Sequence, residues 1–379
     1  MGPPRQAGAR VSRLRVLTAA AILVPAAVGA GGLDQSGQPV TPLFAEGRRL
    51  EVSWGRWLPE MSGTGPTGRD TGNAYGPLTG AGASLRFDIA PNWSGAVILD
   101  RPFGVVVGYD TPFAESGFPY AGTRAEPESH AITGLIRYRA PGGFGLHGGL
   151  RAIRFRTDVT LDGPGFGPLA GYDWQAGDDW GIGAVVGASW EKPEIALRVA
   201  LTYSSEAEIE AKGVESLGGR AIPGAVTLHL PQSVNLDVQS GIAPETLLYG
   251  SLRWTDWGGF QVAPPVYAGV TGKPLVAFSH DTFTYRLGIG HRFGARWSAA
   301  LEMSHEASTG ETQTVLTPYD GYTSVGLGLA YTMPSGVELA GGAAWYALGD
   351  AEVDSFSGVI GDFQDNRAVG LGLKLSYTF

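Results

Sequence analysis

Side chains that could do chemistry are sparse and scattered in this sequence. The six His show no metal-ligand spacing. His305-Glu306, Asp178-Asp179 and His280-Asp281 fall near the ends of alternating stretches, but none supplies a nucleophile with an orienting partner. Gly181-Ile182-Gly183, Gly288-Ile289-Gly290, Gly326-Leu327-Gly328 and Gly370-Leu371-Gly372 lack the third Gly and the strand-to-helix context of a nucleotide fingerprint. No metal site and no cofactor is expected, and an enzyme is the weakest functional reading. The informative side chains are apolar. Pro112, Phe113, Phe118, Pro119 and Tyr120 cluster in one segment, and Pro164, Phe166, Pro168 and Leu169 in another. Exposed apolar clusters are where a hydrophobic ligand first binds. The alternative is that they pack their own segments together.

Pro102 is the most informative single residue. It interrupts the run Val97-Ile98-Leu99-Asp100-Arg101-Pro102-Phe103-Gly104-Val105-Val106-Val107. Proline removes a ladder hydrogen bond, and a Gly two residues on permits a bulge. At membrane depth such a break must line a cavity or opening, because an unsatisfied backbone group in lipid is costly. Either the strand kinks at Pro102, Phe103 and Gly104 and opens the wall, or it ends at Arg101.

The elements that must position these residues follow a period of two. At the C-terminus Leu371, Leu373, Leu375, Tyr377 and Phe379 alternate with Gly370, Gly372, Lys374, Ser376 and Thr378. Alternate side chains of a strand point to opposite faces. Similar alternation runs through 195–203, 283–290, 297–304 and 325–332, and Arg198, Arg286, Glu302 and Lys374 all fall on the small-residue face. A charge facing lipid at mid-depth costs ~2–4 kcal/mol, so the apolar face is expected to meet lipid and the other face a lumen. Short turns at 90–93, 140–143, 191–194, 241–244, 293–296 and 333–336 alternate with long Gly-, Pro- and acid-rich segments at 58–78, 104–129, 158–178, 205–228, 257–280, 306–319 and 350–364. That arrangement predicts an all-β transmembrane antiparallel barrel of about fourteen strands over 49–379, short turns in the periplasm and long loops outside. A soluble β-sandwich is the competing fold.

Composition agrees. Outside the N-terminus no apolar run reaches the ~18 residues of a membrane helix, while 59 Gly and 39 aromatic residues suit strands, turns and aromatic girdles. Arg5, Arg10, Arg13 and Arg15 precede the apolar run Val16 to Val28, then Val28-Gly29-Ala30. This reads as a cleaved secretory signal over 1–30, the apolar run being too short to span. Removing it leaves 23 basic against 36 acidic residues, a net of −13. That balance argues against nucleic acid as a partner. The terminal Phe is of the kind read by the barrel assembly machinery, so that machinery, outer-membrane lipid and lipopolysaccharide are expected partners. A monomer is expected.

Three stretches resemble the FadL/TodX family of outer-membrane long-chain fatty-acid and hydrocarbon transporters. They are Leu230-Pro231-Gln232-Ser233-Val234 with Leu252-Arg253-Trp254-Thr255-Asp256-Trp257-Gly258-Gly259-Phe260, Pro102-Phe103-Gly104 with Tyr109, and the region from Tyr285-Arg286-Leu287-Gly288 through Thr317-Pro318-Tyr319-Asp320 to Phe379. The resemblance implies a fourteen-stranded barrel, a kink rather than a strand end at Pro102, and an N-terminal plug. Residues 31–48 are the only candidate plug, with Leu33, Gln35, Leu43 and Phe44 as its apolar and polar anchors. Leu33-Asp34-Gln35-Ser36-Gly37 is similar to the family's first mature residues, but the family's Asn-Pro-Ala triplet is absent. The implied function is passive transport of a hydrophobic small molecule with sideways exit. Phe113, Phe118, Tyr120 and Phe166 are the loop candidates for ligand binding. A general diffusion porin is the main alternative.

Overall fold

The computed structural model of the chain describes residues 33–355 and 358–379. The signal segment expected over 1–30 lies outside the described residues, as do the first two residues of the expected plug. Fourteen long strands follow in chain order: β1 (Arg49–Glu60), β2 (Leu78–Ala90), β3 (Trp93–Asp100), β4 (Glu128–Arg139), β5 (Phe144–Leu161), β6 (Tyr172–Lys192), β7 (Leu197–Ser204), β8 (Ser233–Ala243), β9 (Thr246–Thr255), β10 (Thr282–Phe293), β11 (Trp297–Glu306), β12 (Tyr322–Thr332), β13 (Val337–Leu348) and β14 (Arg367–Thr378). Each pairs antiparallel with the next. β14 returns to β1 over the full register from Arg49↔Thr378 to Glu60↔Arg367. Closure leaves no edge strand, which is the condition for a sheet to cross a bilayer.

The short turns close tightly. At the β4–β5 turn Gly142 and Gly143 take positive φ of 87° and 90°. A Cβ on Gly143 would meet the Glu191 carbonyl oxygen at 2.1 Å, so only Gly fits there. No helix among the described residues is long and apolar enough to cross a membrane; the crossing is made by strands.

The two faces of each strand carry different chemistry. On β14, Leu371, Leu373, Leu375 and Tyr377 face out, while Lys374 is 8% exposed and Ser376 fully buried. β10 shows Phe283, Tyr285, Leu287 and Ile289 on the lipid face, β12 Val325, Leu327 and Leu329. Inside, polar groups bond to one another along the inner wall: Arg151 to Thr133 and Ser204, Arg137 to Glu191, Ser304 to Ser324. These inward groups thus find partners that lipid could not supply.

Above the membrane the polarity inverts. On β5, the outward series Leu146, Leu150 gives way to Arg154, Arg156 and Asp158, while Ile153, Phe155, Val159 and Leu161 turn in and are buried. β6 makes the same switch through a register shift opposite Phe155/Arg156, where Asp178 has φ 68°. Residues 205–228, expected to be loop, instead form most of a hairpin (Ala207–Leu217 with Arg220–Leu230) that prolongs β7 and β8 outward. The unpaired steps Ser205-Glu206 and Pro231-Gln232 shift the alternation by one residue. Ala207, Ile209 and Ala211 therefore face in, and Glu208, Glu210 and Lys212 face water. The outer half of the molecule is a water-soluble shell around an apolar centre, the reverse of the membrane half.

Leu373 sits mid-strand on the lipid face. Leu373→Lys is expected to lower the barrel's unfolding free energy by ~2–4 kcal/mol. Chemical denaturation in lipid vesicles, read by the heat-modifiable gel shift, measures this; an unchanged midpoint would mean the outward face is misassigned.

Candidate functional site

The wall is interrupted between β2 and β3. Their ladder runs from Ala90↔Trp93 only as far as Ala83↔Leu99. Leu78–Gly82 of β2 pair with β1 but have no strand beside them on the other flank. The chain leaves the wall because Pro102 has no N–H to give. Gly104 then takes φ 156°, where a Cβ would sit 2.7 Å from Gln35 Nε2 and 2.9 Å from the Pro127 carbonyl oxygen. The guanidinium of Arg101 partly substitutes for the missing ladder, donating to the Thr79 carbonyl at 2.6 Å and pairing with Glu128 at 3.1 Å. A cavity of about 130 Å³ occupies the gap. Its walls combine lumen-side Glu51, Ser53 and Lys374 with lipid-side Trp54, Ala81 and Leu99, so it reaches from one side of the sheet towards the other.

The backbone that left the wall finds its partners inside. The Gln35 N–H donates to the Pro102 carbonyl, and the Gly104 N–H to the Leu33 carbonyl, each at 2.8 Å. Asp34 and Phe103 thus face each other as an antiparallel bridge. On its other flank the segment stays with β4, through Ser129 N–H to the Phe103 carbonyl at 2.9 Å and Val105 N–H to the Pro127 carbonyl at 3.1 Å.

The N-terminal segment is in turn held across the lumen. Asp34 pairs with Arg253 of β9 at 2.7 Å, Ser36 donates to Asp100, and Asn235 of β8 donates to the Gly37 carbonyl. Further along, Val40, Leu43 and Phe44 are buried against Ala96, Ile98, Leu135, Val185 and Ala200. Each full burial of a side chain the size of Leu43 contributes about 1.5–3 kcal/mol. Arg137 and Arg198 lie over the Phe44 ring at 4.5 and 4.8 Å.

Beneath the outer loops lies an apolar cavity of about 60 Å³. Phe155, Val159 and Trp174 line it from β5 and β6, Trp257, Phe260 and Phe278 from the loop after β9, and Leu33, Phe103 and Val105 from below. Phe103 meets Trp257 edge to face at 5.7 Å, and Trp257, Phe260 and Phe278 form a mutual aromatic cluster. The loop 307–321 roofs it through Leu316 and Thr317. That roof is tied down by Tyr109 and Tyr75, whose hydroxyls donate to the Val315 and Leu316 carbonyls. Burial pushes both phenols up from their ordinary range, so each keeps the proton it donates.

The expected site residues divide. Pro102, Phe103 and Gly104 lie at the break, and Phe103 turns inward to the cavity. Leu33 lines the apolar cavity and Gln35 the wall gap, while Leu43 and Phe44 pack deeper. Phe118, Tyr120 and Phe166 meet edge to face within the loop core, with successive centroids 5.8 and 4.6 Å apart. Phe113, on a single-turn helix α1 (Phe113–Ser116), is exposed. None of the four lines the apolar cavity. Trp257, Phe260, Phe278 and the Asp34–Arg253 pair had not been singled out. Trp257-Gly258-Gly259-Phe260 was a visible motif, but nothing in it says that the rings turn inward. His305, Glu306, Asp178, Asp179 and Asp281 are each engaged in strand-end or loop hydrogen bonds. Among the described residues no group of His, Cys, Asp or Glu could hold a metal ion.

A closed antiparallel barrel with an apolar outward face, an interrupted wall and an apolar cavity under its outer loops defines a membrane-spanning β-barrel protein. The chain belongs to the family described as "Outer membrane protein transport protein (OMPP1/FadL/TodX)", whose model matches residues 143–379. It is 27% identical over 225 residues to a long-chain fatty acid transport protein of Salmonella typhi, covering 50% of each chain. It is 23% identical over 226 residues to a 47 kDa outer membrane protein of Pasteurella multocida, covering 54% of this chain and 51% of that one. The chain spans about half the length of these relatives. A FadL homologue of Pseudomonas aeruginosa shares the fold, with TM-score 0.73 and 15% identity over 90% of this chain and 92% of that one. The Pseudomonas putida toluene transporter TodX does so with TM-score 0.62 and 11% identity over 90% and 92%.

Arg253, itself held by Ser233 and Asn235, is the ion-pair anchor of Asp34 in the N-terminal segment. Asp34→Asn removes the direct ion-pair partner of this buried guanidinium, which costs about 3–5 kcal/mol. Hydrogen exchange at residues 33–38 is expected to accelerate by at least a hundredfold while the barrel strands stay protected. Unchanged exchange would show that the segment is held by something else.

Proposed function

We propose that this protein carries hydrophobic small molecules passively across the outer membrane. In this reading a molecule enters the apolar cavity from outside and leaves sideways through the break between β2 and β3. The lumen below stays shut by residues 33–48, acting as a plug. One observation carries the proposal: the same two segments, 33–36 and 100–105, border both spaces. Leu33, Phe103, Gly104 and Val105 line the apolar cavity, whereas Gln35, Ser36, Asp100 and Arg101 line the wall gap. They form the partition between a greasy entry and a lateral exit.

The physical chemistry suits such a route. Burial of alkyl groups supplies ~0.8 kcal/mol per CH₂ at the entry cavity. A lateral exit returns the molecule to an equally apolar phase without a passage through water. The cavity of about 60 Å³ is far below the roughly 300–1,000 Å³ of a typical ligand site. Occupancy therefore requires the partition, or the Phe260–Phe278 cluster, to move. Long-chain fatty acids and aromatic hydrocarbons, the cargoes in the relatives' names, are the substrate classes to test first.

Gly80 faces the lumen side of the gap, and a Cβ there meets nothing within 4 Å. Gly80→Trp is expected to fill the exit and slow uptake of a radiolabelled long-chain fatty acid into cells several-fold, with folded yield unchanged. Uptake equal to the parent would rule out this exit.

A further inference from the structure

A third, larger cavity lies at the end of the barrel opposite the apolar one. Its volume is about 380 Å³, and it is bordered by the short-turn residues Ala90, Asn92 and Pro193, which places it at the periplasmic mouth. Phe44 closes it towards the lumen. Four guanidiniums face it from three strands: Arg86 of β2, Arg137 and Arg139 of β4, and Arg198 of β7. Three carboxylates share the space, Glu46, Asp88 and Glu191.

The pairing is incomplete. Arg86 pairs with Asp88 and Arg137 with Glu191, each at 2.5 Å. Among the described residues, Arg139 and Arg198 have no carboxylate within ion-pairing distance. Arg198 is the unusual one: it is half-buried on the inward face of β7, opposite Glu191 and Gln239 in register, yet makes no direct ion pair. A partly buried cation without a direct ion-pair partner gains from an anion in the cavity beside it. Its guanidinium lies over the Phe44 ring, at 4.8 Å. Stacking on an aromatic face holds a guanidinium plane still while leaving its N–H edge free to donate. Phe44 therefore positions Arg198 with a donor edge available to the cavity, and also packs against Arg137, already paired with Glu191, at 4.5 Å.

We propose that this vestibule is an oxyanion site, taking a carboxylate or phosphate group between Arg198 and Arg139. A guanidinium fork matches the two oxygens of either group. The group could belong to an amphiphile or to a free small anion. The site is separate from the apolar cavity, and the proposal stands whether or not the lateral route is right.

The test uses full-length protein purified in a non-ionic detergent, with folding checked by the heat-modifiable gel shift. Three probes are titrated by NMR: inorganic phosphate, ¹³C-carboxyl decanoate and uncharged decanol. The protein is expected to bind decanoate or phosphate, and Arg198→Gln to weaken that binding roughly tenfold or more, the loss of a charge-assisted bidentate contact. Arg198→Lys, which keeps the charge and loses the fork, should fall between. Phosphate and decanoate binding alike would indicate a small-anion site, and decanoate alone an amphiphile site. Decanol reports the apolar cavity independently and should be unaffected by Arg198→Gln. Should Arg198→Gln not fold, Arg139→Gln and Phe44→Leu are expected to weaken the same probes. Anion binding that none of these substitutions changes, or no anion binding at all, overturns the proposal.

Discussion

A backbone amide or carbonyl at membrane depth has no water to bond, so every one of them needs a partner in the chain. Closure of β14 on β1 meets that need around most of this barrel. The break after Asp100 violates it locally, and much of the interior follows from how the violation is repaired. The departing segment 102–104 is met by Leu33 and Gln35. The N-terminal segment must then be held in place, which Arg253, Asp100 and Asn235 do from three strands. An opening in the wall and an obstruction in the lumen are consequently one hydrogen-bonded unit.

The distribution of polarity makes that unit useful. In the membrane half the lumen is polar, filled by Arg151, Arg137, Lys374 and their partners, and offers a hydrophobic molecule little. In the outer half the alternation inverts, and Phe155, Val159 and Trp174 bring an apolar lining to the centre. The apolar path therefore stops where 33–36 and 100–105 stand, which is also where the wall is open. In the proposed route, a molecule that the polar lumen does not accept leaves sideways at the same depth.

The strand register was legible because lipid tolerates no exceptions. Lys374, Arg286 and Glu302 each had to face inward, and the count of turns then set the strand number. The hairpin over 207–230 was not legible, since its apolar and polar positions exchange faces across Ser205-Glu206 and Pro231-Gln232. A reader of alternation sees the same period with the opposite meaning. Phe118, Tyr120 and Phe166 illustrate another limit: aromatic rings that pack a loop core and rings that await a ligand have the same sequence signature. Pro102 and Gly104 were legible because their backbone restrictions are intrinsic. The partner that repairs their break, some seventy residues earlier, leaves no local trace.

Asp34 and Phe103 form a non-hydrogen-bonded antiparallel pair, bracketed by the Gln35–Pro102 and Gly104–Leu33 bonds. Such pairs place Cα atoms ~4.5 Å apart, within disulfide range, and the chain has no Cys to interfere. The most direct measurement is uptake of a long-chain hydrophobic substrate by cells carrying Asp34→Cys/Phe103→Cys, oxidised and then reduced. If the partition between cavity and wall gap must open for passage, oxidation abolishes uptake and reduction restores it. Uptake as fast in the oxidised as in the reduced protein would show that the molecule travels by another route.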